Sequence, residues 1–216
     1  MTTKIQHAID KLNQVLPLHT HFALLDSEQK QCYQSILRHF IARGRAPHRH
    51  ELRASYANAD HIVQFLADKA FITLNQHNEI VGCYPFTMEP RVHRVFINDQ
   101  QLYAMCALDA LAPAIMFKSE ARIHSLCAVT GQAIRIDMHN KQVSNPGMCG
   151  EVHVGINWQA ANSSISCADS LCTGMLFLVN KKIAEQWASE NSAAREIFNL
   201  DEAIAFADGF FTPLLC

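Results

Sequence analysis

The stretch ADHIVQFLADKAFITLNQHNEIVGCYPF, Ala59 to Phe86, decides how the first part of this chain is read. Its first half sets Ile62, Val63, Phe65 and Leu66 on one helical stripe behind a cap at Asn58. Its second half changes period, because two apolar runs flank the polar turn Asn75 to Asn78 in the manner of a β-hairpin. Upstream, KIQHAIDKLNQVL (residues 4–16) repeats Ile5, Ala8, Ile9, Leu12, Val15 and Leu16 at helical spacing. Asp26 and Ser27 then offer an N-cap to a second helix that ends at Gly44, and Pro47 opens a short helical segment. Helices followed by a two-stranded wing form a winged-helix pattern, so residues 1–85 are read as a winged-helix-like helical domain.

Beyond a boundary placed around residues 83 to 90, RVHRVFINDQQLY (91–103) alternates and turns at Asn98 and Asp99, a second hairpin. An apolar helix is expected from about Met105, with strands near 121–127 and 132–138 and a turn at Asn145 to Gly150. Strands near 152–158 and 175–179 and helices near 182–189 and 200–211 follow. The fold class is therefore α+β: the helical domain, then a mixed α/β domain over residues 86–216 built on small antiparallel sheets.

Composition narrows the function. A chain of 216 residues that is 49% hydrophobic and 18% charged is neither disordered, collagenous nor a disulfide miniprotein. At this length folding buries roughly 70% of the chain's surface, so the core requires neither a structural metal nor bridges. A net charge of −2 provides no field toward nucleic acid or an anionic membrane. The helical half holds nine Lys and Arg against seven Asp and Glu over residues 1–82, a weak basic excess for a DNA reader. The start carries no apolar signal segment. The longest apolar run, Tyr103 to Phe117, contains Asp109 and Pro113 and is shorter than a membrane span of about 20 residues. A cytoplasmic protein with reduced thiols is expected, with its eight cysteines reading first as buried small hydrophobes.

Among motifs, no glycine-rich phosphate loop occurs, and none of the twelve histidines forms a HExxH pair. His48 and His50 offer at most adventitious metal binding. Cysteine spacings of 51, 23, 21, 22, 18, 5 and 44 residues exclude a paired CxxC zinc site, although Cys167 and Cys172 are close enough to reach one metal. A Cys106, His124 and Asp109 nucleophilic set is conceivable, with nothing local to single it out. More specific is Cys106-Ala-Leu-Asp109 at the head of the apolar helix, where i and i+3 share a face. One reading is a carboxyl of raised pKa that exchanges a proton with a thiol. The other is an acidic first turn complementing the helix dipole, with the cysteine as core filler.

YAMCALDALAPA (Tyr103 to Ala114), HSLCAVTG (His124 to Gly131), DSLCTG before an apolar strand (Asp169 to Val179) and QWAS (Gln186 to Ser189) occur in the order seen in organomercurial (alkylmercury) lyases, and the chain resembles that family over about residues 30 to 211. The resemblance implies cleavage of carbon–mercury bonds by protonolysis in the 86–216 domain, giving a hydrocarbon and Hg(II) held by two cysteines. It places the two cysteines and the aspartate at Cys106, Cys172 and Asp109, both as catalytic groups and as mercury ligands, and matches Cys127 to a cysteine kept for structure. It also implies an organomercurial substrate, no organic cofactor, and delivery of mercury to external low-molecular-weight thiols or to mercuric reductase. Membrane and nucleic acid are not expected as partners, and the winged half is expected to serve as a packing lid. The chemistry suits the residues, since thiolates are the soft ligands that Hg(II) prefers and an adjacent acid supplies the proton that carbon needs.

The chain departs from familiar members at Thr173, Gly174 and Met105, where a cysteine, a histidine and a tryptophan are often found. Those positions bear on product handling and substrate fit. Cys149 and Cys167 are either further thiols near Cys172 or inert, and Cys216 is expected to be a mobile terminal thiol. The alternative on the same scaffold is a thiol-based carrier of mercury or copper, which has no need of Asp109. A metal-responsive regulator binding DNA through the winged half is a third reading, opposed by the weak basic excess.

Overall fold

The computed structural model describes residues 2–215, so Cys216 lies outside the described residues. The first layer is helical: α1 (Thr3–Val15), α2 (Leu18–Leu24), α3 (Ser27–Arg43), α4 (Arg49–Arg53) and α5 (Ala59–Asp68). α3 starts where its cap chemistry dictates. The Asp26 side chain accepts from Gln29 N–H while the Gln29 side chain accepts from the Asp26 N–H, and Gly44 closes the helix in the left-handed region. α2 is an addition to the elements read from the sequence: seven residues behind Pro17 bury only Leu18 and Phe22, too short a stripe to show a helical period.

Next come β1 (Ile72–Leu74), β2 (Ile80–Cys83), β3 (Phe86–Thr87), β4 (His93–Ile97) and β5 (Gln100–Ala104). The helix α6 (Ala107–Met116) leads to β6 (Glu120–Leu126), β7 (Ala133–His139) and β8 (Gln142–Val143). These eight strands form one antiparallel sheet in the order β1-β2-β3-β5-β4-β6-β7-β8. The β1–β2 hairpin is thus the first part of a sheet that continues into the second half, with Gly82 opposite Thr87 and Cys83 opposite Phe86. The β4–β5 turn has both Asn98 and Asp99 at positive φ, as a tight hairpin of primed type requires.

A one-turn helix α7 (Pro146–Cys149), begun by its proline, occupies the expected turn at 145–150. After it come β9 (His153–Asn157), β10 (Met175–Leu178), α8 (Lys181–Ser189), β11 (Arg195–Asn199) and α9 (Leu200–Phe211), and a 3-10 turn over Thr212–Leu215 follows α9. β9 is the middle strand of a second antiparallel sheet, between β10 and β11. β11 was not anticipated from REIFN, whose two charges and short length hide a strand that pairs along all five residues of β9.

Inner and outer faces of the large sheet alternate. Val95, Ile97, Ala121, Ile123, Ile134 and Ile136 are buried, while Arg94, Arg122 and Arg135 face out. α6 lies against β4, β5 and β6 on one side and α9 on the other, so all ten of its residues are buried. α1 packs on α9, with Lys4 paired to Glu202 at 2.7 Å, so the two ends of the chain share one layer. Among the described residues no helix is long and apolar enough to cross a membrane.

Candidate active site

β5 ends at Ala104, and two residues later Cys106 stands as the N-cap of α6 in extended backbone, outside the helix proper. Its Sγ accepts the Asp109 N–H at 3.3 Å, the place a cap oxygen normally takes. The expectation that thiol and carboxyl share a helical face is thus met through a cap: the Cys106 sulfur turns back over the first turn, where Asp109 points. Pro113 in the same helix has no N–H to give the Asp109 carbonyl four residues earlier.

The second thiol arrives from the other sheet. Residues Leu171–Gly174 form a 3-10 turn before β10, and this turn carries Cys172 into the interior. Cys172 Sγ lies 3.9 Å from Asp109 Oδ2, and one atom each of Cys106, Asp109 and Cys172 falls within 4.8 Å of the other two. Among the described residues this is the one cluster of three His, Cys, Asp or Glu side chains so arranged. A sulfur–metal–sulfur unit with bonds of roughly 2.3 Å spans about 4.6 Å, so the two thiols can share one soft cation.

The surroundings are apolar. Leu12 and Leu16 of α1, Phe210 and Phe211 of α9, Tyr84 and Met175 line a cavity of about 10 Å³ over the cluster. Cys106, Asp109 and Cys172 are 2%, 1% and 4% exposed. Burial pushes the Asp109 carboxyl up to about 7, against hydrogen bonds from both thiols that pull it back. Burial likewise pushes the Cys106 thiol up to about 12, with the neighbouring carboxyl adding to the rise. Cys172 is held well above the ordinary thiol range by hydrogen bonding to Cys106 and Cys167 and then by burial. Asp109 Oδ1 is buried without a hydrogen-bond partner, so the carboxyl keeps one acceptor unspent.

Other candidates separate. His124 lies on the outer face of β6, its ring 4.8 Å from that of Phe96, so the sheet keeps it from Cys106 and no Cys-His-Asp set assembles. His48 and His50 stack on each other at the exposed start of α4. Cys149 bonds to Asn145 in and beside α7. Cys127 sits in the β6–β7 turn, which docks on β10 through the Ala128 N–H to Phe177 carbonyl bond at 3.0 Å. Burial pushes its thiol up, but hydrogen bonds from the Thr130 hydroxyl and from the N–H groups of Thr130, Val129 and Val179 more than reverse this. Thr173 is exposed and bonds its hydroxyl to the Ser170 carbonyl. Cys167, in contrast, lines the cavity with its Sγ 3.9 Å from that of Cys172.

Two lining residues carried no sequence signal as site residues. Met175 places its thioether 3.5 Å from Cys106 Sγ, and its only cue was standing three residues after Cys172. Tyr84 is buried against all three site residues and Cys167, and its phenol is held far above its ordinary range by burial and by those groups.

Residues 86–212 match a family model described as alkylmercury lyase. The chain is 24% identical to the alkylmercury lyase of Staphylococcus epidermidis over 132 residues, covering 61% of this chain and 59% of that protein. It is 29% identical to the one from Streptomyces lividans over 143 residues, covering 66% and 64%. With the Bacillus cereus protein the identity is 28% over 133 residues, covering 61% and 58%. The matched part therefore spans about three fifths of the length of these curated relatives. In fold, the chain resembles the crystal structure of the mercury-bound form of MerB2, with a TM-score of 0.74 at 21% identity over 96% of this chain and 100% of that one.

Proposed function

The chain belongs to the alkylmercury lyase family, and from that membership we propose that it cleaves the carbon–mercury bond of organomercurials by protonolysis, leaving a hydrocarbon and Hg(II) on Cys106 and Cys172. The observation that carries this reading is a buried carboxyl within 4.8 Å of two buried sulfurs. A carrier of soft metal needs the sulfurs alone.

The residues divide the work. One thiol exchanges for the ligand that brought the organomercurial in, and its proton leaves with that ligand. The second thiol passes its proton to the Asp109 carboxylate and binds mercury as thiolate. Two sulfur donors raise electron density on the metal and weaken its bond to carbon. Asp109 then delivers the proton to carbon, which takes the electron pair of the breaking bond, and the carboxylate is restored. A carboxyl held at about 7 is poised to accept from a thiol and to give to carbon near neutral pH, where a solvated aspartate is a poor acid. The lining of Leu12, Leu16, Phe210 and Phe211 supplies the apolar surroundings responsible for that value.

Mercury is substrate and product here, and the chemistry calls for no organic cofactor. External low-molecular-weight thiols or a mercuric reductase take the Hg(II), and a reducing cytoplasm suits the free thiols. The test is anaerobic incubation with phenylmercuric acetate and excess cysteine, following benzene in the headspace. One benzene per mercury consumed is expected. Retention of the phenylmercury on the protein without benzene release would overturn the reading.

A further inference from the structure

Three thiols, not two, meet at this site, and the third differs from the others in where it stands. Cys106 and Cys172 are closed off, whereas Cys167 is only half-buried and follows the exposed run Asn162–Ser166. Its Sγ is 3.9 Å from Cys172 Sγ, and it lines the same cavity. The two cysteines sit on successive 3-10 turns, Cys167–Asp169 and Leu171–Gly174, that meet at Ser170. The first turn is tied down by Arg91, which reaches Asp169 at 3.2 Å, and by Ser166, whose hydroxyl donates to the same carboxylate. Cys167 is therefore held beside Cys172 at the edge of the pocket.

We propose that Cys167 is the relay thiol that carries Hg(II) from the buried pair to solvent. The inference rests on the protonolysis reading for the origin of the mercury. A mercury on Cys106 and Cys172 meets dilute external thiol only slowly, because both sulfurs are buried, and exchange at a soft metal proceeds when a third thiolate enters before one leaves. Cys167 is that third ligand. It gives up its proton and bonds to mercury, and the mercury–sulfur bond to Cys106 breaks with the electron pair remaining on sulfur. The Cys106 thiolate then takes up one proton, so charge and oxidation state are unchanged. Two external thiols next displace Cys167 and Cys172, and each protein sulfur receives a proton from the thiol that replaces it. Opening the 3.9 Å pair by under about 1 Å lets it span a two-coordinate mercury. Loss of the mercury to those external thiols then frees Cys106 and Cys172 together for the next substrate.

A thiol tethered this closely acts at an effective concentration of roughly millimolar. The experiment loads the full protein with one equivalent of mercuric chloride anaerobically and follows loss of the mercury–thiolate absorbance on adding cysteine. At about 0.1 mM cysteine, Cys167→Ser is expected to transfer mercury about tenfold more slowly than the parent, and the gap is expected to close at about 10 mM. Cys149→Ser, in a thiol bonded to Asn145 away from the site, serves as the control and is expected to match the parent. Transfer by Cys167→Ser at the parental rate at low cysteine would overturn the relay, as would a deficit that persists at high cysteine or appears equally in Cys149→Ser. Thermal melting of each apoprotein tests that the variant is folded, and the half-buried Cys167→Ala provides a second variant with the same expectation. Because loading uses inorganic mercury, absence of benzene release by the parent would strike the lyase reading without altering this result.

Discussion

The residues before and after the boundary near position 86 both bury cysteines, and they use them differently. Cys32 on α3 and Cys83 on β2 are fully buried, and burial pushes Cys32 up to about 12 and Cys83 well above the ordinary thiol range. Cys106 is raised to the same value for the same first reason. A perturbed thiol therefore does not distinguish core from site. What distinguishes them is company: Cys32 lies among Tyr33, Ile36 and Phe40 on a core helix, while Cys106 and Cys172 have each other and a carboxyl within 4.8 Å. What sets the second group apart in structure is a second sulfur and a carboxyl in the same pocket.

The sharpest way to break that comparison is to remove a sulfur from each region. Cys172→Ser is expected to lower benzene release by at least about 10³-fold, the scale on which losing a group that bonds to substrate is felt, and to weaken phenylmercury binding in competition with free cysteine. Cys32→Ala is expected to leave the release rate at the parental value. A folded Cys32→Ala that lost turnover would show that the helical thiol belongs to the site.

On the proposed mechanism, removing the Asp109 carboxyl separates binding from cleavage. Asp109→Asn keeps both thiols, so it is expected to hold phenylmercury in equilibrium dialysis yet release benzene about 10²-fold more slowly or worse. Turnover near the parental rate would remove Asp109 from the reaction and favour the carrier.

The same carboxyl has a stability signature. Its folded pKa of about 7 lies above the ordinary aspartate value of 3.8, so between those values the native state binds the extra proton. Its contribution is therefore present in full below about pH 4 and is lost as pH rises through 7, a loss of up to about 4 kcal/mol at roughly 1.4 kcal/mol per pH unit. Buried His93, held down to about 4 by burial, has the opposite slope, gaining stability from pH 4 toward 6.5. The difference between Asp109→Asn and parent isolates the aspartate. In urea unfolding, that difference is expected to favour the variant more at pH 8 than at pH 4.5, and a pH-independent difference would mean that Asp109 is not held neutral.

The smallest effect belongs to the core thiol. Cys32→Ala removes one buried sulfur from a packed helix and is expected to cost about 1 kcal/mol in the same unfolding measurement. A cost near zero would mean that α3 closes the gap by relaxing around it.

Local features were legible in the sequence. The Asp26 cap, the Gly44 stop, the Asn98-Asp99 turn and the Cys106-to-Asp109 neighbourhood each depend on residues a few positions apart, where hydrogen-bond geometry and side-chain period decide the outcome. The resemblance added Cys172 by motif. Tertiary packing alone decided that Cys172 reaches Asp109 across 63 positions, that Cys167 stands beside it while Cys149 does not, and that α1 and α9 close the pocket. It also placed His124 behind the sheet and joined the first hairpin to the strands that follow. These outcomes depend on how α6 is buried between a sheet and α9, a long-range balance of apolar burial that no window of the sequence contains.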